Sequence, residues 1–318
     1  MKALVLRDRE LALEPDWHEP DVPDGLVRVR VLQAGICETD LQLVKGYMGF
    51  SGVPGHEFVG VAQAGRFAGR RVVGEINCVC GSCELCSRGL GNHCPTRTVI
   101  GILNHDGAFA ESLVVPAQNL HAIPDSMSND LATLVEPAAA ALQIPEQVKL
   151  HKSQRVIVLG DGRLGNLSAQ VLKAAGCGVI VIGKHAGKLA RFDRLDIETC
   201  LLANAPRGRT ADLVVDCTGS ASGLETALQL VRPRGTVVLK TTVAEQHQLS
   251  LAPVVIDEIS IVGSRCGPFA KAIEAIERDR FYLSDFVSAR YSLDDFAIAF
   301  EHARSPEALK VVFDIAAE

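Results

Sequence analysis

The spacing of hydrophobic and polar residues in the first part of the chain is typical of β-strands. Up to about residue 125, short alternating or β-branched runs are broken by Gly and Pro. Examples of these runs are the segments 26–31, 58–61 and 113–115. Such short strands between turn residues predict an antiparallel, barrel-like region.

Beyond Arg155 the pattern changes to strand, glycine turn and helix in repeated order. Near-continuous apolar runs, typical of parallel strands buried on both faces, occupy 156–159, 179–182, 213–215 and 237–239. Between the two regions, residues 131–144 predict a buried helix that Pro137 interrupts. After residue 250 the composition is mixed again, and the chain closes with a predicted strand over 310–313. The pattern therefore predicts an α/β fold.

Composition narrows the class of protein. A chain of 318 residues is long enough for two domains, each with its own core. The net charge of −6 argues against a nucleic-acid surface. No run reaches the roughly 18 apolar residues of a membrane span, and the start of the chain lacks a signal-peptide pattern. We therefore expect a cytoplasmic protein with no membrane partner, in which the ten cysteines stay reduced.

Four of these cysteines form the most specific motif, Cys80-x2-Cys83-x2-Cys86-x7-Cys94. Short loops can bring four thiolates around one tetrahedral ion at little entropic cost, and zinc prefers such ligands. Two disulfides are the alternative, but three cysteines at three-residue spacing suit a metal better. The spacing predicts a closed, structural zinc site.

A glycine triplet follows the predicted strand 156–159 and precedes an apolar helix pattern. In this context the glycines allow a tight turn and a close approach of backbone to a pyrophosphate, which the helix N-terminus then binds. A purely structural turn is the alternative. The candidate cofactor-binding residues of the turn are Gly160, Asp161, Gly162, Arg163, Leu164 and Gly165.

The segment after the next strand bears on the choice of cofactor. Sites for NAD usually carry an acid there, about 20 residues after the glycines, which accepts from the ribose 2′-hydroxyl. This chain has Gly183, Lys184, His185 and Lys188, and no carboxylate until Asp193. Cations can receive a 2′-phosphate, so the segment favours NADP(H). The alternative is NAD binding without the acid, with the lysines at a solvated helix start.

A third set of residues has the composition of an open zinc site. Cys37, His56, Glu57 and Glu136 offer one thiolate, one imidazole and two carboxylates, which leaves a coordination position for water or substrate. Each has another explanation, as a buried thiol, a core histidine or helix-surface carboxylates. Sequence separation alone does not bring them together.

The motifs together resemble the zinc-dependent medium-chain dehydrogenase/reductase family, the alcohol and polyol dehydrogenase superfamily. The matching segments, in the order of the family, are 35–40, 54–57, the four-cysteine motif, 106–111, 135–137 and the glycine turn. The resemblance implies a GroES-like catalytic domain over 1–137 and 250–318, with a structural-zinc lobe at 78–97. It also implies an inserted Rossmann domain, with a doubly wound parallel sheet, over 138–249.

The resemblance further implies two zincs per chain and hydride transfer between an alcohol or polyol, or the matching carbonyl, and NAD(P). Cys37 and His56 match catalytic zinc ligands, and Glu57, Glu136 or water match the rest of the shell. A carboxylate ligand in place of a second thiolate suits substrates that chelate through two oxygens. The alternatives are a non-catalytic member of the fold, a zinc-free reductase, and a biosynthetic dehydrogenase with a specialised substrate.

Three further residues match functional positions of the family. Thr39 matches the hydroxyl that relays the substrate proton, and Asp40 matches the partner that fixes the histidine tautomer. Lys310 matches a basic residue that reaches the cofactor pyrophosphate. The family resemblance also implies a homodimer or a homotetramer.

Overall fold

The computed structural model describes residues 1–206, 208–243 and 248–316. Its strands in chain order are β1 (Ala3–Arg7), β2 (Glu10–Glu14), β3 (Leu26–Ile36), β4 (Glu57–Ala62), β5 (Arg71–Gly74), β6 (Asn77–Cys78), β7 (Thr98–Val99), β8 (Ser112–Pro116), β9 (Leu120–Ala122), β10 (Arg155–Leu159), β11 (Gly178–Gly183), β12 (Glu198–Leu201), β13 (Ala211–Asp216), β14 (Val231–Leu239), β15 (Ser260–Gly263), β16 (Val287–Tyr291) and β17 (Lys310–Asp314). Its α-helices are α1 (Glu38–Val44), α2 (Glu84–Ser87), α3 (Asn129–Thr133), α4 (Val135–Gln147), α5 (Arg163–Ala174), α6 (Ala186–Leu189), α7 (Gly223–Leu230), α8 (Ala252–Ile256), α9 (Phe269–Glu277) and α10 (Phe296–Arg304).

The chain divides into two compact units. The first comprises Met1–Glu136, Ala272–Arg278 and Leu283–Glu318, and the second comprises Pro137–Lys271 and Asp279–Tyr282. The predicted end of the Rossmann domain at residue 249 is therefore too early. The reason is β15, which pairs in parallel with β14 and adds a sixth strand to that sheet.

The first unit is built on a seven-stranded sheet in the order β16-β17-β3-β4-β5-β9, in which β8 also pairs with β3. The long strand β3 alternates between buried and half-buried positions in its first half and is fully buried in its second. That second half pairs antiparallel with both β4 and β17, so that Gly35 lies opposite Glu57 on one side and Val312 on the other. The pairing places chemistry-bearing residues of distant segments side by side.

The second unit is a six-stranded parallel sheet in the order β12-β11-β10-β13-β14-β15. Its central strands are buried along nearly their whole length, as strands with both faces covered should be. The order turns at β10, from which the chain runs outward first on one side and then on the other. Such a reversal opens a crevice at the carboxyl ends of the strands, where doubly wound sheets bind ligands.

Two local expectations need correction. Pro137 does not interrupt a helix: the break lies at Leu134, between α3 and α4, and Pro137 falls in the first turn of α4, where its missing N–H costs nothing. Helix α4 is the longest of the described helices, and none of them has the length and apolar character to cross a membrane.

Candidate metal centres and cofactor site

The four thiols of the motif at 80–94 converge in the segment between β6 and β7. The Sγ–Sγ distances are 3.6 Å for Cys80–Cys94, 3.9 Å for Cys83–Cys94 and 4.0 Å for Cys80–Cys86. Four sulfurs at about 2.3 Å from a tetrahedral zinc are about 3.8 Å apart. The spacing therefore fits a ZnS4 site and is far too long for disulfides.

The electrostatics of this cluster also call for a cation. Backbone N–H groups of Ser82 and Cys83 lower the pKa of Cys80 to about 5, whereas burial and the neighbouring Cys83 raise the pKa of Cys86 to about 12. The sulfurs thus resist ionising together when only protons balance them. A bound dication removes that conflict because each thiolate then faces positive charge.

A second cluster lies where β3 ends and β4 begins. One atom each of Cys37, His56 and Glu57 can act as a metal ligand, and these three atoms lie within 4.8 Å of one another. Cys37 precedes α1 with an extended backbone, and His56 and Glu57 enter β4 in a buried position. The predicted ligand Glu136, at the start of α4, does not belong to this three-residue cluster.

The carboxylate of Asp40 holds the second cluster together. It is 1% exposed and accepts from the backbone N–H of Cys37 (2.7 Å) and of Gly55 (3.3 Å). It also lies 3.5 Å from Nδ1 of His56, a buried atom that has no hydrogen-bond partner in the described chain. Asp40 therefore faces one ring nitrogen and leaves the other for a metal, as the carboxylate next to a ligating histidine does.

Two further features surround the imidazole and the thiol. Burial opposes the charged form of His56, but Asp40 and Cys37 together raise the pKa of the imidazole well above 6.5. Oγ1 of Thr39 lies 3.8 Å from Sγ of Cys37, and Thr39 is only half-buried. A partly exposed hydroxyl therefore stands beside the candidate ligands.

Lys310 lies elsewhere than the resemblance implied. Its side chain is fully buried, and its ammonium donates to the Glu57 carboxylate and to the carbonyl oxygen of Ile36 at 3.2 Å. The predicted contact with a cofactor pyrophosphate thus gives way to an ion pair with a candidate metal ligand. Gly35 makes this pair possible, because a Cβ there would lie 2.7 Å from Glu57 Oε2 and 3.1 Å from Lys310 Cδ.

The glycine turn has the geometry of a dinucleotide cradle. Gly160 adopts φ of +114°, and a Cβ there would lie 2.5 Å from the carbonyl oxygen of Cys217. A Cβ on Gly165 would lie 2.0 Å from the carbonyl oxygen of Gly160, so the third glycine lets α5 pack on the turn. Next to Gly162 nothing lies within 4 Å of such an atom, which leaves its backbone open to a ligand at the start of α5. The first turn of that helix begins with Arg163 and Leu164, both half-buried.

The segment after β11 differs from its sequence interpretation in one respect. The Asp161 carboxylate reaches this segment and accepts from the backbone N–H of Lys184 (2.8 Å) and of His185 (2.7 Å). Nδ1 of His185 is 3.1 Å from the same group. A carboxylate is therefore present at the end of the second parallel strand, although the segment itself has none before Asp193.

One polar group beside the glycine turn was not foreseen. Oδ1 of Asp216, at the end of β13, accepts from Thr218 N (2.9 Å), Thr218 Oγ1 (2.8 Å) and Thr241 Oγ1 (2.9 Å). The backbone of the next residue, Cys217, bonds to Leu159 at 2.8 Å. The signal was available, since ligand-binding residues gather where parallel strands end.

A thiolate-containing metal cluster and a doubly wound sheet with a glycine cradle, on one chain, define a zinc-dependent oxidoreductase that uses a dinucleotide. Comparison with known families gives the same answer. Residues 23–125 match the alcohol dehydrogenase GroES-like domain, and residues 164–278 match the zinc-binding dehydrogenase domain. The chain belongs to the zinc-dependent medium-chain dehydrogenase/reductase family, which confirms the resemblance and the fold class.

Individual relatives agree along the whole chain. D-altritol 5-dehydrogenase of Agrobacterium fabrum is 30% identical over 335 residues, which cover 98% of this chain and 99% of the relative. A short chain alcohol dehydrogenase (rspB) from Escherichia coli, solved with NADH, superposes with a TM-score of 0.89 at 26% identity and 99% coverage of both chains. A zinc-binding dehydrogenase from Sinorhizobium meliloti, solved with NADP, gives a TM-score of 0.85 at 25% identity and 98% coverage of both chains. The protein is thus a zinc-type dehydrogenase with a nicotinamide cofactor.

Proposed function

We propose that the protein transfers hydride between the hydroxyl-bearing carbon of an alcohol or polyol, or the matching carbonyl, and a nicotinamide dinucleotide. The observation that carries this proposal is the cluster of Cys37, His56 and Glu57, whose ligand atoms lie within 4.8 Å of one another. The 30% identity to a D-altritol 5-dehydrogenase supports a polyol as the substrate.

We propose two zincs per chain, one in each cluster. The site at 80–94 has four sulfur ligands and no open position, so its role is structural. At the other cluster, bound zinc supplies a Lewis acid that lowers the pKa of a substrate hydroxyl. Asp40 orients His56 as a ligand there, and Lys310 orients Glu57. The thiolates of both clusters need a reducing compartment, which supports a cytoplasmic location.

Thr39 is the proposed acceptor of the substrate proton. Its hydroxyl lies beside the Cys37 thiol and is half-exposed at the start of α1, so it can pass the proton on to solvent. A hydroxyl both accepts and donates a proton, which suits it to a relay. Threonine to valine at this position preserves shape and removes the relay.

The carboxylate of Glu57 replaces a second thiolate in the cluster, which bears on the choice of substrate. A ligand set with more oxygen is harder and favours oxygen donors. We therefore expect vicinal diols and hydroxy acids to be oxidised faster than simple monohydric alcohols. The opposite order of specificity constants, kcat/KM, contradicts this substrate class.

The cofactor is NAD(H) or NADP(H). The exposed Lys184 supports the NADP(H) that the sequence favours, whereas the Asp161 carboxylate at the end of the second parallel strand opposes a 2′-phosphate. Each cofactor therefore forms its own arm of the tests.

We further propose a homodimer built on the β15 edge of the parallel sheet. On and beside α8, Val255 is 76% exposed, Ile256 is 77% exposed and Leu251 is 59% exposed. An edge strand next to an exposed apolar patch is a surface that a second copy can cover. Light scattering should show a dimer that Val255→Glu with Ile256→Glu dissociates, whereas Ile298→Glu, at another exposed apolar residue, leaves it intact.

The decisive experiment combines metal analysis with a substrate screen over polyols, aldoses, hydroxy amino acids and simple alcohols. We expect two zincs per chain, and one in a folded Cys37→Ala variant that has lost turnover. Cys200→Ala, at a partly buried cysteine outside both clusters, is the matched control. Turnover retained by Cys37→Ala contradicts the proposal and favours a zinc-free reductase, and a two-zinc protein inactive on every substrate favours a non-catalytic member.

A further inference from the structure

The Asp161 carboxylate occupies the space that a side chain at Gly183 would take. An ideal Cβ on Gly183 would lie 2.4 Å from Asp161 Oδ2 and 2.7 Å from Asp161 Cγ. No left-handed φ is present at Gly183, so its backbone conformation is open to any residue. Gly183 is thus required for space, and the group that fills the space is an acid.

The position of this acid matches the one that dinucleotide sites use. Gly183 is the last residue of β11, which pairs with β10 on the side away from β13. In dinucleotide-binding sheets an acid at the end of the second strand accepts from the adenosine ribose. Here the carboxylate arrives at the same place from the glycine turn, one residue after Gly160.

The contacts of Asp161 leave room for a ribose hydroxyl. Oδ2 accepts both backbone N–H groups of the following segment, whereas Oδ1 is 3.1 Å from His185 Nδ1. A carboxylate can accept about four hydrogen bonds, so Oδ1 retains accepting capacity. Asp161 is 6% exposed, which places its charge at the floor of the crevice rather than in bulk water.

The same contacts work against a 2′-phosphate. The N–H groups of Lys184 and His185, which could bind a phosphate, already donate to Asp161. The Lys188 side chain is 9% exposed, so of the two lysines only that of Lys184 is exposed at the surface. A phosphate dianion there would also face a buried carboxylate, and like charges at short range repel.

We propose that Asp161 recognises the adenosine ribose and makes NAD(H) the preferred cofactor. The inference rests on the proposed function and names the residue that decides between its two cofactors. It replaces the argument for NADP(H), whose premise was that no carboxylate lies near this strand end.

Direct binding of NADH and NADPH, measured by fluorescence titration without substrate, tests the inference. We expect the wild type to bind NADH at least about 10-fold more tightly than NADPH. Asp161→Asn preserves size and keeps an acceptor for the backbone N–H groups, but removes the charge. It should weaken NADH binding roughly 10-fold or more, the usual effect of losing a charge-assisted hydrogen bond, and leave NADPH binding unchanged or stronger.

An exchange of the two residues is the sharper test. Gly183→Asp alone should lower the melting temperature, because its side chain collides with Asp161. Asp161→Ala alone should lose NADH affinity. The double variant Asp161→Ala with Gly183→Asp removes the collision and returns the acid to the strand end, so the preference for NADH should recover.

Three outcomes overturn the inference. The first is a wild type that prefers NADPH. The second is an Asp161→Asn variant that loses affinity for both cofactors by the same factor, because Asp161 then only anchors the segment after β11. The third is failure of the wild type to bind either cofactor, and this outcome alone overturns the proposed function as well.

Discussion

The Lys310 ammonium and the Glu57 carboxylate form an ion pair inside the first unit, where their side chains are 0% and 1% exposed. The pair joins β17, near the end of the chain, to β4, where the candidate zinc ligands lie. A buried lysine of this kind persists only when its charge is matched, because desolvation of an unpaired charge is costly. Lys310 is therefore a positioning residue for Glu57.

Removal of the cation should be strongly destabilising. Lys310→Met leaves the Glu57 carboxylate buried without its partner, and we expect the free energy of unfolding to fall by about 3–5 kcal/mol. Glu57→Gln with Lys310→Met removes both charges and should cost less than the sum of the two single changes. Urea unfolding followed by circular dichroism measures each value.

Lys2 provides the matched control for this pair. It forms an ion pair with Asp294 in which the side chains are 36% and 58% exposed. Lys2→Met should leave the urea midpoint unchanged, because solvent screens exposed pairs. Additive losses in the Lys310 and Glu57 double variant would show that the two side chains do not act on each other.

Gly35→Ala should damage the same site by overpacking it. The added methyl group would lie 2.7 Å from Glu57 Oε2 and 2.9 Å from Thr133 Cγ2, both in the buried interior. We expect a loss of about 1–3 kcal/mol in stability together with a fall in zinc content. Gly178→Ala, whose nearest neighbour would be 3.8 Å away, is the control and should be nearly neutral. Full zinc occupancy in Gly35→Ala would separate the Glu57 position from metal binding.

Asp40→Asn should loosen the zinc held by Cys37 and His56 while the chain stays folded. The amide cannot accept as strongly from Cys37 N, and it no longer presents a negative charge to His56 Nδ1. Loss of such a carboxylate lowers metal affinity about 10- to 100-fold. Competition with a chromogenic chelator measures the affinity, and Asp294→Asn, at an exposed carboxylate, should leave it unchanged.

Local patterns were sufficient to predict most of the fold. The apolar runs at 156–159 and 213–215 became β10 and β13, because a strand buried on both faces needs a continuous apolar run. The edge strands were harder, since burial no longer dictates their residues. The segment from Asp196 to Asp212 looked too short for a strand, yet β12 fits there because a single 3-10 turn at Leu202–Asn204 replaces the helix. β15, with its exposed residues, was assigned to the wrong domain.

The site divides along the same line. Local motifs carry Cys37, Asp40, His56 and the four-cysteine cluster, because short loops place those atoms together whatever the rest of the chain does. The position of Lys310 depends instead on the register of β17 against β3, 274 residues apart along the chain. Asp161 was missed as an acid of the strand end for a similar reason, since its carboxylate crosses from one strand-end loop to the next.

The last prediction concerns pH and the amino-terminal ends of the parallel strands. Asp212 Oδ1 accepts from Arg232 Nε at 2.6 Å, and Oδ2 accepts from the backbone N–H of Arg155 at 2.8 Å. The Arg232 hydrogen bond lowers the pKa of Asp212 below 3.8, against the opposing effect of burial. A carboxyl group whose pKa is lower in the folded state stabilises the fold above its unfolded pKa, and this contribution disappears as the pH falls through the folded value.

Asp212→Asn should therefore reduce the free energy of unfolding by up to about 1 kcal/mol at neutral pH, a modest value because the pair is partly exposed. The difference from the wild type should stay constant down to the unfolded pKa near 3.8 and shrink below it. Urea unfolding of both proteins across this range measures it, with Asp24→Asn, at an exposed carboxyl in the first unit, as the control. A difference that grows as the pH falls would mean that Asp212 contributes through its neutral form rather than through its charge.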